Sequence, residues 1–285
     1  MKKILTVDVG GTFTKYAVMN DSAKIFERGK IPTPLDGKEN FYSELHKLYK
    51  IFDVEGIALS LPGVVDSARG ILIKSLALNF CNGCNIVDEL GKICGCRVTI
   101  ENDSRCAALA EAKLGALADV DDGFVILFGT MIGGAFIKNH EVYKGFNNSA
   151  GEISFIRDDD KIFSDYCSVP ALLKNYSPNE NITGENFFRA VENDVSAQKI
   201  LDEFTRKIAE KIFNIQMIID VKKFAIGGGI SAQKIFIDSI SENLKKIYAE
   251  SPVEFNCVEI VPCQFFNDAN LIGALMTMKG LIDIE

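Results

Sequence analysis

The 285-residue sequence contains no apolar run of the ~18 residues that a membrane-spanning helix needs. Its start, Met1-Lys2-Lys3 followed directly by a strand pattern, lacks the apolar core and cleavage site of a secretory signal. An excess of positive charge is also missing: the net charge of −8 disfavours a generic nucleic-acid surface, which needs clustered Lys and Arg. We therefore expect a cytoplasmic protein with neither a membrane nor a nucleic-acid partner.

Two common phosphate-binding motifs are missing near the first glycine pair. No Gly-Lys-Ser/Thr follows at Walker A spacing, and the stretch is not GxGxxG. Instead, a buried strand from Ile4 to Val9 leads into two adjacent glycines, and a second strand returns through Phe13, Tyr16 and Val18. The pattern predicts a β-hairpin with a polar tip.

The tip of this hairpin has the composition of a phosphate cradle. Gly10 and Gly11 allow backbone N–H groups to approach an anion closely because they carry no side chain. Thr12 adds a hydroxyl donor, and Lys15 adds a positive charge. Asp8, at the end of the strand, is an acceptor that can orient the hydrated Mg²⁺ of ATP. A hairpin in which Asp and Thr merely cap a turn is the alternative.

A similar pattern recurs in the second half of the chain. A strand at 124–128 leads into the glycine-rich tip 129–134, and a strand returns through 135–137. This repetition predicts two related lobes that hold a nucleotide from opposite sides. Further on, residues 227–229 are three glycines after a buried strand, which would let adenosine lie on bare backbone; a flexible loop is the alternative.

A third candidate position is the end of the strand predicted at 97–101. It delivers Asn102 and Asp103 to the carboxyl end, where ligands gather in open α/β sheets. The helix predicted at 104–117 begins immediately afterwards, so Asp103 as a helix N-cap is the alternative.

Hydrophobic spacing predicts the remaining elements. They are a strand near 24–30, a helix at 38–52, a strand at 56–60, a helix at 86–93, a long helix at 196–219, a strand at 258–261 and a closing helix at 269–282. Residues 71–83 and 157–164 are predicted to be irregular.

The eight cysteines are unevenly placed. Cys81, Cys84, Cys94 and Cys96 form a CxxC followed shortly by a CxC, a spacing that allows a zinc site. Reduced, buried thiols are the alternative. We favour the thiols because Gly95 caps a predicted helix end that a CxC zinc knuckle would have to open.

Seven short motifs follow one another along nearly the whole chain. They are Asp8-Val-Gly-Gly-Thr12, Ser60-Leu-Pro-Gly-Val64, Glu101-Asn-Asp103, Gly129-Thr-Met-Ile-Gly-Gly134, Ala150-Gly-Glu-Ile153, Gly227-Gly-Gly-Ile-Ser231 and Asp268-Ala269 with Gly273-Ala274. In this order they resemble the ROK family, which comprises repressors, open reading frames and sugar kinases within the actin/hexokinase/Hsp70 ATPase superfamily.

The resemblance implies an α/β fold of two lobes, the actin-like ATPase (ribonuclease H-like) fold, with mixed sheets flanked by helices and a central cleft. The small lobe would comprise residues 1–102 plus 270–285, and the large lobe residues 103–269. ATP would bind in the cleft, with a sugar deeper down. Family members commonly dimerise, so a homodimer is a candidate state.

The resemblance also implies roles for single residues. Those expected to contact ATP are Gly10, Gly11, Thr12 and Lys15 from one lobe, Thr130 and Gly133 from the other, and Gly228 and Gly229 beside adenosine. Those expected to contact the sugar are Gly63, Asn102, Asp103 and Glu152. Asp103 would be the catalytic base, because a sugar hydroxyl is a poor nucleophile until a carboxylate takes its proton.

The implied activity is ATP-dependent phosphorylation of the 6-hydroxyl of a hexose or N-acetylhexosamine, of the glucose, N-acetylmannosamine or β-glucoside type. ATP and Mg²⁺ are the expected cofactors. Family members usually carry a His, a cysteine-rich zinc loop and a sugar-contacting Glu after the fifth motif. Here Ser154 and Phe155 stand at the matching places, and residues 156–168 contain one cysteine, Cys167. We therefore expect no structural zinc, as in a zinc-less branch of the family, and Asp165 is a candidate substitute for a lost sugar contact.

Three rival functions remain. Met131 stands where the family mostly has Gly, and an altered phosphate contact there would leave a catalytically impaired sugar-binding or sensing protein. Family repressors carry a winged helix-turn-helix before the first phosphate loop, whereas two residues precede the opening strand here, so we expect no DNA binding. An ATPase that activates a radical enzyme through an iron–sulfur cluster shares the first motif, but Glu101-Asn102-Asp103 argues against it.

Overall fold

Runs of short strands are separated by helices in the computed structural model, which describes residues 3–178 and 181–282. The strands are β1 Lys3–Val9, β2 Phe13–Asn20, β3 Ile25–Pro32, β4 Gly56–Leu61, β5 Val64–Asp66, β6 Ile71–Lys74, β7 Arg97–Asn102, β8 Gly123–Phe128, β9 Ile132–Lys138, β10 Glu141–Tyr143, β11 Arg157–Asp158, β12 Lys161–Ile162, β13 Lys223–Gly228 and β14 Glu259–Pro262. The helices are α1 Lys38–Ile51, α2 Ile86–Cys94, α3 Asp103–Leu114, α4 Phe163–Cys167, α5 Val169–Tyr176, α6 Gly184–Val191, α7 Val195–Ile219, α8 Lys234–Glu250 and α9 Ala269–Ile282. Among the described residues, no helix combines the length and the apolar character needed to cross a bilayer.

The chain divides into two compact units. Unit 1 contains the described residues of Met1–Ala110, Gly145–Ser149 and Asp268–Glu285, and unit 2 those of Glu111–Lys144 and Ala150–Asn267. Unit 1 thus continues past residue 102, where the small lobe was predicted to end, and it includes a short segment from within the predicted large lobe. The lobe boundaries drawn from the sequence stay a prediction.

Unit 1 contains a five-stranded sheet in the order β3-β2-β1-β4-β7. The edge formed by β3, β2 and β1 is antiparallel, whereas β4 runs parallel to both β1 and β7. Parallel neighbours need long crossovers, and α1 and α2 lie in those connections. Phe41 and Leu45 of α1 are buried in the same core as Val7 and Leu59 of the sheet. Helix α9 packs against β1, β4 and β7.

Unit 2 repeats this arrangement in a second sheet of order β10-β9-β8-β13-β14. Strands β8 and β9 are antiparallel, and β13 is parallel to both β8 and β14. Its core is rich in phenylalanine, including Phe124, Phe128, Phe204 and Phe236, all 3% exposed or less. The long helix α7 contributes a buried stripe to this core, as its spacing predicted.

The structure confirms both predicted hairpins and corrects three local predictions. Residues 71–83 are not wholly irregular, because β6 pairs with β5. Residues 157–164 form the small β11–β12 hairpin and begin α4. The second glycine-rich tip is shorter than predicted: β9 already starts at Ile132, so Gly133 and Gly134 lie inside a strand. Strands of two to four residues are too short to show a periodic pattern.

Candidate active site

The carboxyl end of β1 carries Asp8, a carboxylate that is only 8% exposed. Its Oδ1 accepts hydrogen bonds from Ser60 Oγ at 3.0 Å and from Asn270 Nδ2 at 2.9 Å. Its Oδ2 lies 3.9 Å from Lys15 Nζ on the neighbouring strand. Three elements therefore fix this carboxylate, β4 through Ser60, α9 through Asn270 and β2 through Lys15.

The two glycines in the turn after Asp8, Gly10 and Gly11, have different surroundings. Gly10 donates its N–H to the Phe13 carbonyl at 3.1 Å, and a Cβ added at Gly10 would lie 2.9 Å from that oxygen. A Cβ added at Gly11 would meet nothing within 4 Å. Thr33 steadies the turn by donating to the Gly10 carbonyl at 2.7 Å. The turn therefore requires Gly10, whereas Gly11 borders open space that an anionic ligand can enter.

The end of β7 brings Asn102 and Asp103 together. Asn102 donates from Nδ2 to the Gly63 carbonyl at 2.9 Å and to Asp103 Oδ1 at 3.0 Å. Its Oδ1 accepts from the Arg105 N–H at 3.1 Å, so Asn102 provides the helix-capping bond that the sequence allowed for Asp103. Asp103 Oδ1 also accepts from the Ser104 N–H at 2.7 Å.

Gly63 is in place for a backbone reason. Its φ of +110° belongs to the region that favours glycine, and an added Cβ would lie 2.2 Å from the Lys74 carbonyl oxygen. The glycine therefore lets the loop before β5 lie directly on β6, with its carbonyl available to Asn102. The structure thus brings two predicted sugar contacts, Gly63 and Asn102, next to Asp103.

Strand register places all of these groups at one edge of the unit 1 sheet. Asp8 pairs with Ser60, and Ser60 pairs with Glu101, the residue before Asn102. Neighbouring strands lie about 4.8 Å apart, so the chain ends of β1 and β7 are separated by only two strand spacings. This clustering of negative charge affects the pKa of Cys106, a wholly buried thiol of α3.

Burial raises the pKa of the Cys106 thiol well above its usual range, and the charges of Glu101, Asp8 and Asp103 raise this pKa further. Complete burial and the raised pKa both disfavour the thiolate, which is the nucleophilic form of cysteine.

The second hairpin tip, in unit 2, is held by backbone and hydroxyl groups. Thr130 and Met131 are exposed at this tip. The Gly129 N–H donates to the Met131 carbonyl, and the Gly129 carbonyl accepts from the Val169 N–H, each at 3.1 Å. Behind the tip, the Ile132 N–H donates to Ser164 Oγ at 2.9 Å. Gly133 pairs with Leu127 inside β9.

The loop that carries Glu152 packs closely on β9. A Cβ on Gly134 would lie 2.6 Å from the Gly151 carbonyl oxygen, and one on Gly151 would lie 2.7 Å from the Gly134 oxygen. Only a pair of glycines permits this approach. After Glu152, the buried Ser154 Oγ lies 2.6 Å from Ser164 Oγ. Ser164 therefore bonds both to the hairpin tip of unit 2 and to the loop that carries Glu152.

The three glycines at the end of β13, Gly227, Gly228 and Gly229, also have different surroundings. A Cβ on Gly227 would lie 2.4 Å from a Leu127 methyl carbon, and one on Gly228, whose φ is +92°, would lie 2.0 Å from the Phe128 carbonyl oxygen. A Cβ on Gly229 would meet nothing within 4 Å. Strand packing requires the first two glycines, and the third borders open space.

The cysteines and the segment after Glu152 contribute no visible metal centre. All eight cysteines are free thiols. Within residues 3–178 and 181–282, no group of three or more His, Cys, Asp or Glu side chains is placed to hold a metal ion. Asp165 Oδ2 accepts from the Ile162 N–H at 3.0 Å, at the start of α4. The absence of zinc and a sugar contact by Asp165 stay predictions.

Four residues that the sequence analysis did not assign help to build these sites: Ser60, Arg105, Ser164 and Asn270. Ser60 had a visible signal, because it is a polar residue at the end of a buried strand inside one of the motifs. The other three are fixed by contacts between distant segments, which periodicity does not show.

Comparison with known proteins gives a consistent result. The model of the ROK family matches residues 4–280. The chain is 28% identical over 292 residues to a protein named beta-glucoside kinase from Listeria monocytogenes, with 96% of each chain covered. A solved structure described as a ROK family protein from Streptococcus pneumoniae TIGR4 in complex with sucrose has 26% identity and a TM-score of 0.91, covering 99% of this chain and 100% of that one.

A second solved structure, a ROK family glucokinase from Streptomyces griseus in complex with glucose and AMPPNP, has 22% identity and a TM-score of 0.82, with 96% of this chain and 98% of that one covered. These matches confirm the predicted α/β fold of the actin-like ATPase type.

Proposed function

Because the chain belongs to the ROK family, we propose that it is an ATP-dependent sugar kinase acting on the 6-hydroxyl of a hexose or N-acetylhexosamine. One observation carries the proposal: Asp8, Asn102 and Asp103 meet at a single edge of the unit 1 sheet, beside Gly63. A cation-binding carboxylate, a sugar-binding amide and a base are the groups that phosphoryl transfer to an alcohol needs.

In this proposal Asp103 is the base. The proton of the 6-hydroxyl passes to the Asp103 carboxylate while the hydroxyl oxygen bonds to the γ-phosphorus. The bond from that phosphorus to the β–γ bridging oxygen breaks, and ADP leaves. The Ser104 N–H and Asn102 amide that donate to Asp103 Oδ1 hold the carboxylate in one orientation. Asn102 and Gly63 position the sugar, together with Glu152 of unit 2.

Asp8 fits the Mg²⁺ that accompanies ATP as substrate. It is an oriented, largely buried carboxylate whose Oδ1 is committed to Ser60 and Asn270. Mg²⁺ in nucleotide sites typically takes one or two carboxylates and keeps several waters, and it neutralises phosphate charge. The backbone of Gly10 and Gly11, with Thr12 and Lys15, is assigned to the phosphates.

For unit 2, we assign Thr130 and Gly133 to phosphate oxygens and Gly228 and Gly229 to adenosine. The open space at Gly229 supports contact with a flat ligand. Gly228 acts indirectly, because strand packing already demands a glycine there. A β-glucoside is the narrower substrate that we favour, and the similarity to beta-glucoside kinase supports it.

A coupled assay of ADP release tests the proposal. Purified protein with MgATP is offered glucose, mannose, N-acetylmannosamine, N-acetylglucosamine, allose and cellobiose in separate reactions, and the phosphorylated product is identified by mass and NMR. We expect sugar-dependent ADP release and a 6-phosphate product. ADP release that no sugar stimulates, with no sugar phosphate formed, would exclude a kinase for these substrates.

A catalytically impaired sugar-binding or sensing protein is the second candidate, and Met131 is the observation that favours it. Its side chain is 47% exposed at the unit 2 tip, where it can obstruct a phosphate. Calorimetry separates the two functions: a sensor binds sugar without releasing ADP. Replacing Met131 with Gly should then restore turnover.

A further inference from the structure

Arg105 is the bulkiest fully buried side chain among the described residues, and the proposed chemistry gives it no task. It lies in the first turn of α3, two positions after Asp103, and is 2% exposed. Removing a guanidinium from water is costly unless charged and polar partners surround it. Its partners therefore show what the fold uses this cation for.

The Arg105 guanidinium contacts three separate segments of unit 1. Nη1 lies 3.6 Å from Glu101 Oε1 and donates to the Val65 carbonyl at 3.4 Å. Nη2 donates to the Asn148 carbonyl at 2.5 Å. The two carbonyls lie 40 and 43 residues away in sequence, so a single side chain joins distant parts of the chain.

Each of these segments leads directly to a residue assigned to the sugar. Glu101 immediately precedes Asn102 and Asp103, and its Oε1 also accepts from the Asn102 N–H at 2.8 Å. Val65 follows Gly63 by two positions, and Asn148 precedes Glu152 by four. The planar fork of an arginine, with its several N–H donors, can hold such divergent acceptors at once.

We propose that Arg105 is a positioning residue that sets the sugar site by fixing the Gly63 loop, the Asn102-Asp103 strand end and the segment Gly145–Ser149 relative to one another. This inference rests on the proposed function. It predicts that Arg105 governs sugar affinity and turnover but not the ATP affinity, because its contacts lead to sugar residues. A merely structural arginine would affect stability and leave the ratio of the two KM values unchanged.

The test compares three variants of the full chain, one double and two single. Arg105→Met combined with Glu101→Gln removes the ion pair without leaving an unpaired buried charge, and methionine keeps most of the side-chain length. Arg105→Lys keeps the charge but loses the planar fork. Lys211→Met is the matched control, because Lys211 is a buried cation of unit 2 that pairs with Asp158, also of unit 2, at 3.2 Å.

Two measurements are made on each variant, steady-state kinetics with separate KM values and amide hydrogen exchange of the peptide spanning residues 145–152. For the double variant we expect the sugar KM to rise ~10-fold and kcat to fall by up to ~10²-fold, since small misplacements of substrate have such effects. Its ATP KM should stay within about 2-fold, because the contacts of Arg105 lead to residues assigned to the sugar and misplacement affects the substrate that is displaced. Hydrogen exchange at 145–152 should accelerate, because the segment loses a hydrogen bond that holds it. Arg105→Lys should be intermediate, and Lys211→Met should change neither readout.

Either of two results would overturn the inference: a folded double variant with unchanged sugar KM and unchanged exchange at 145–152, or equal losses in Lys211→Met. The failure of the proposed function is a separate result. If the unaltered protein phosphorylates no sugar, hydrogen exchange still decides whether Arg105 holds this segment.

Discussion

The two sheets share one strand pattern but differ in what stands at their strand ends. In unit 1, the parallel strands lead to Asp8, Ser60 and Asp103. In unit 2, the equivalent strands β8, β13 and β14 end in Phe128, Gly228 and Pro262. The carboxylates to which we assign acid–base and cation chemistry thus stand at strand ends of unit 1, whereas apolar residues and glycine end these three strands of unit 2. In the proposed function, unit 2 therefore binds its ligand mainly through its backbone.

The largest expected effect comes from removing Asp103, the proposed base of unit 1. Asp103→Asn should lower kcat by ~10²–10⁴-fold, the range typical of a lost general base. Sugar binding measured by calorimetry should remain within a few-fold, because asparagine keeps a hydrogen-bonding side chain. Asp238→Asn, which alters an exposed acid of unit 2 paired with Lys234, is the control and should leave turnover unchanged. Normal turnover in Asp103→Asn would remove Asp103 from its role.

The next largest effect is expected from Asp8, the residue of unit 1 that we assign to Mg²⁺. In Asp8→Asn, the amide oxygen can still accept from Ser60 and Asn270, but the negative charge is lost. We expect kcat to fall about 10²-fold, the size of effect seen when one electrostatic partner of the reaction is removed. The Mg²⁺ concentration giving half-maximal rate should rise. An unchanged Mg²⁺ titration curve would contradict the assignment of Asp8 to the cation.

In unit 2, Ser164→Ala tests whether the tip depends on its support. The change removes the acceptor of the buried Ile132 N–H and the partner of Ser154, which should lower stability by about 1–3 kcal/mol. The KM for ATP should rise several-fold with little change in Mg²⁺ dependence, in contrast to Asp8→Asn. The control is Ser239→Ala, which breaks the bond to Thr205 within the same unit and should lower Tm alone.

The smallest expected effect is that of Gly229→Ala, and the contrast with Gly228→Ala distinguishes these two glycines of unit 2. Gly229→Ala adds a methyl group where nothing lies within 4 Å, so thermal stability should hold while the KM for ATP rises a few-fold. Gly228→Ala should instead unfold unit 2, because its Cβ would lie 2.0 Å from a carbonyl oxygen at a φ of +92°. If Gly229→Ala leaves the ATP KM unchanged, adenosine does not lie over that residue.

Local patterns were sufficient to predict both hairpins and the strand that leads to Asp103. A buried strand, a glycine pair and a returning strand form a contiguous signal, and Gly95 ends α2 in the left-handed conformation expected of a helix cap, with a φ of +67°. The second tip was drawn too long, since Gly133 and Gly134 suit a turn by composition but are held in β9 by pairing with β8.

Arg105 shows why the rest was not predictable. In the sequence it occupies one position of an ordinary helix, and the guanidinium has one charged partner close in sequence among the described residues, Glu101, four residues earlier. Its other two acceptors are backbone carbonyls, which any residue type provides. Ser164 and Asn270 likewise acquire meaning only from segments brought together by the fold. Sequence patterns therefore point to residues with distinctive chemistry, but they do not show which other residues hold those side chains in place.

The bond from Asn270 to Asp8 has a consequence for how the protein is made. The two residues are 262 positions apart, and Gly273 of the same helix lies against the Cys106 backbone. A ribosome therefore adds Asn270 to the chain 262 residues after Asp8. Until α9 emerges from the ribosome, the nascent sheet of unit 1 lacks the helix that packs against β1, β4 and β7, so part of its apolar surface stays exposed. The Asp8 carboxylate therefore gains its Asn270 donor only after unit 2 has been synthesised.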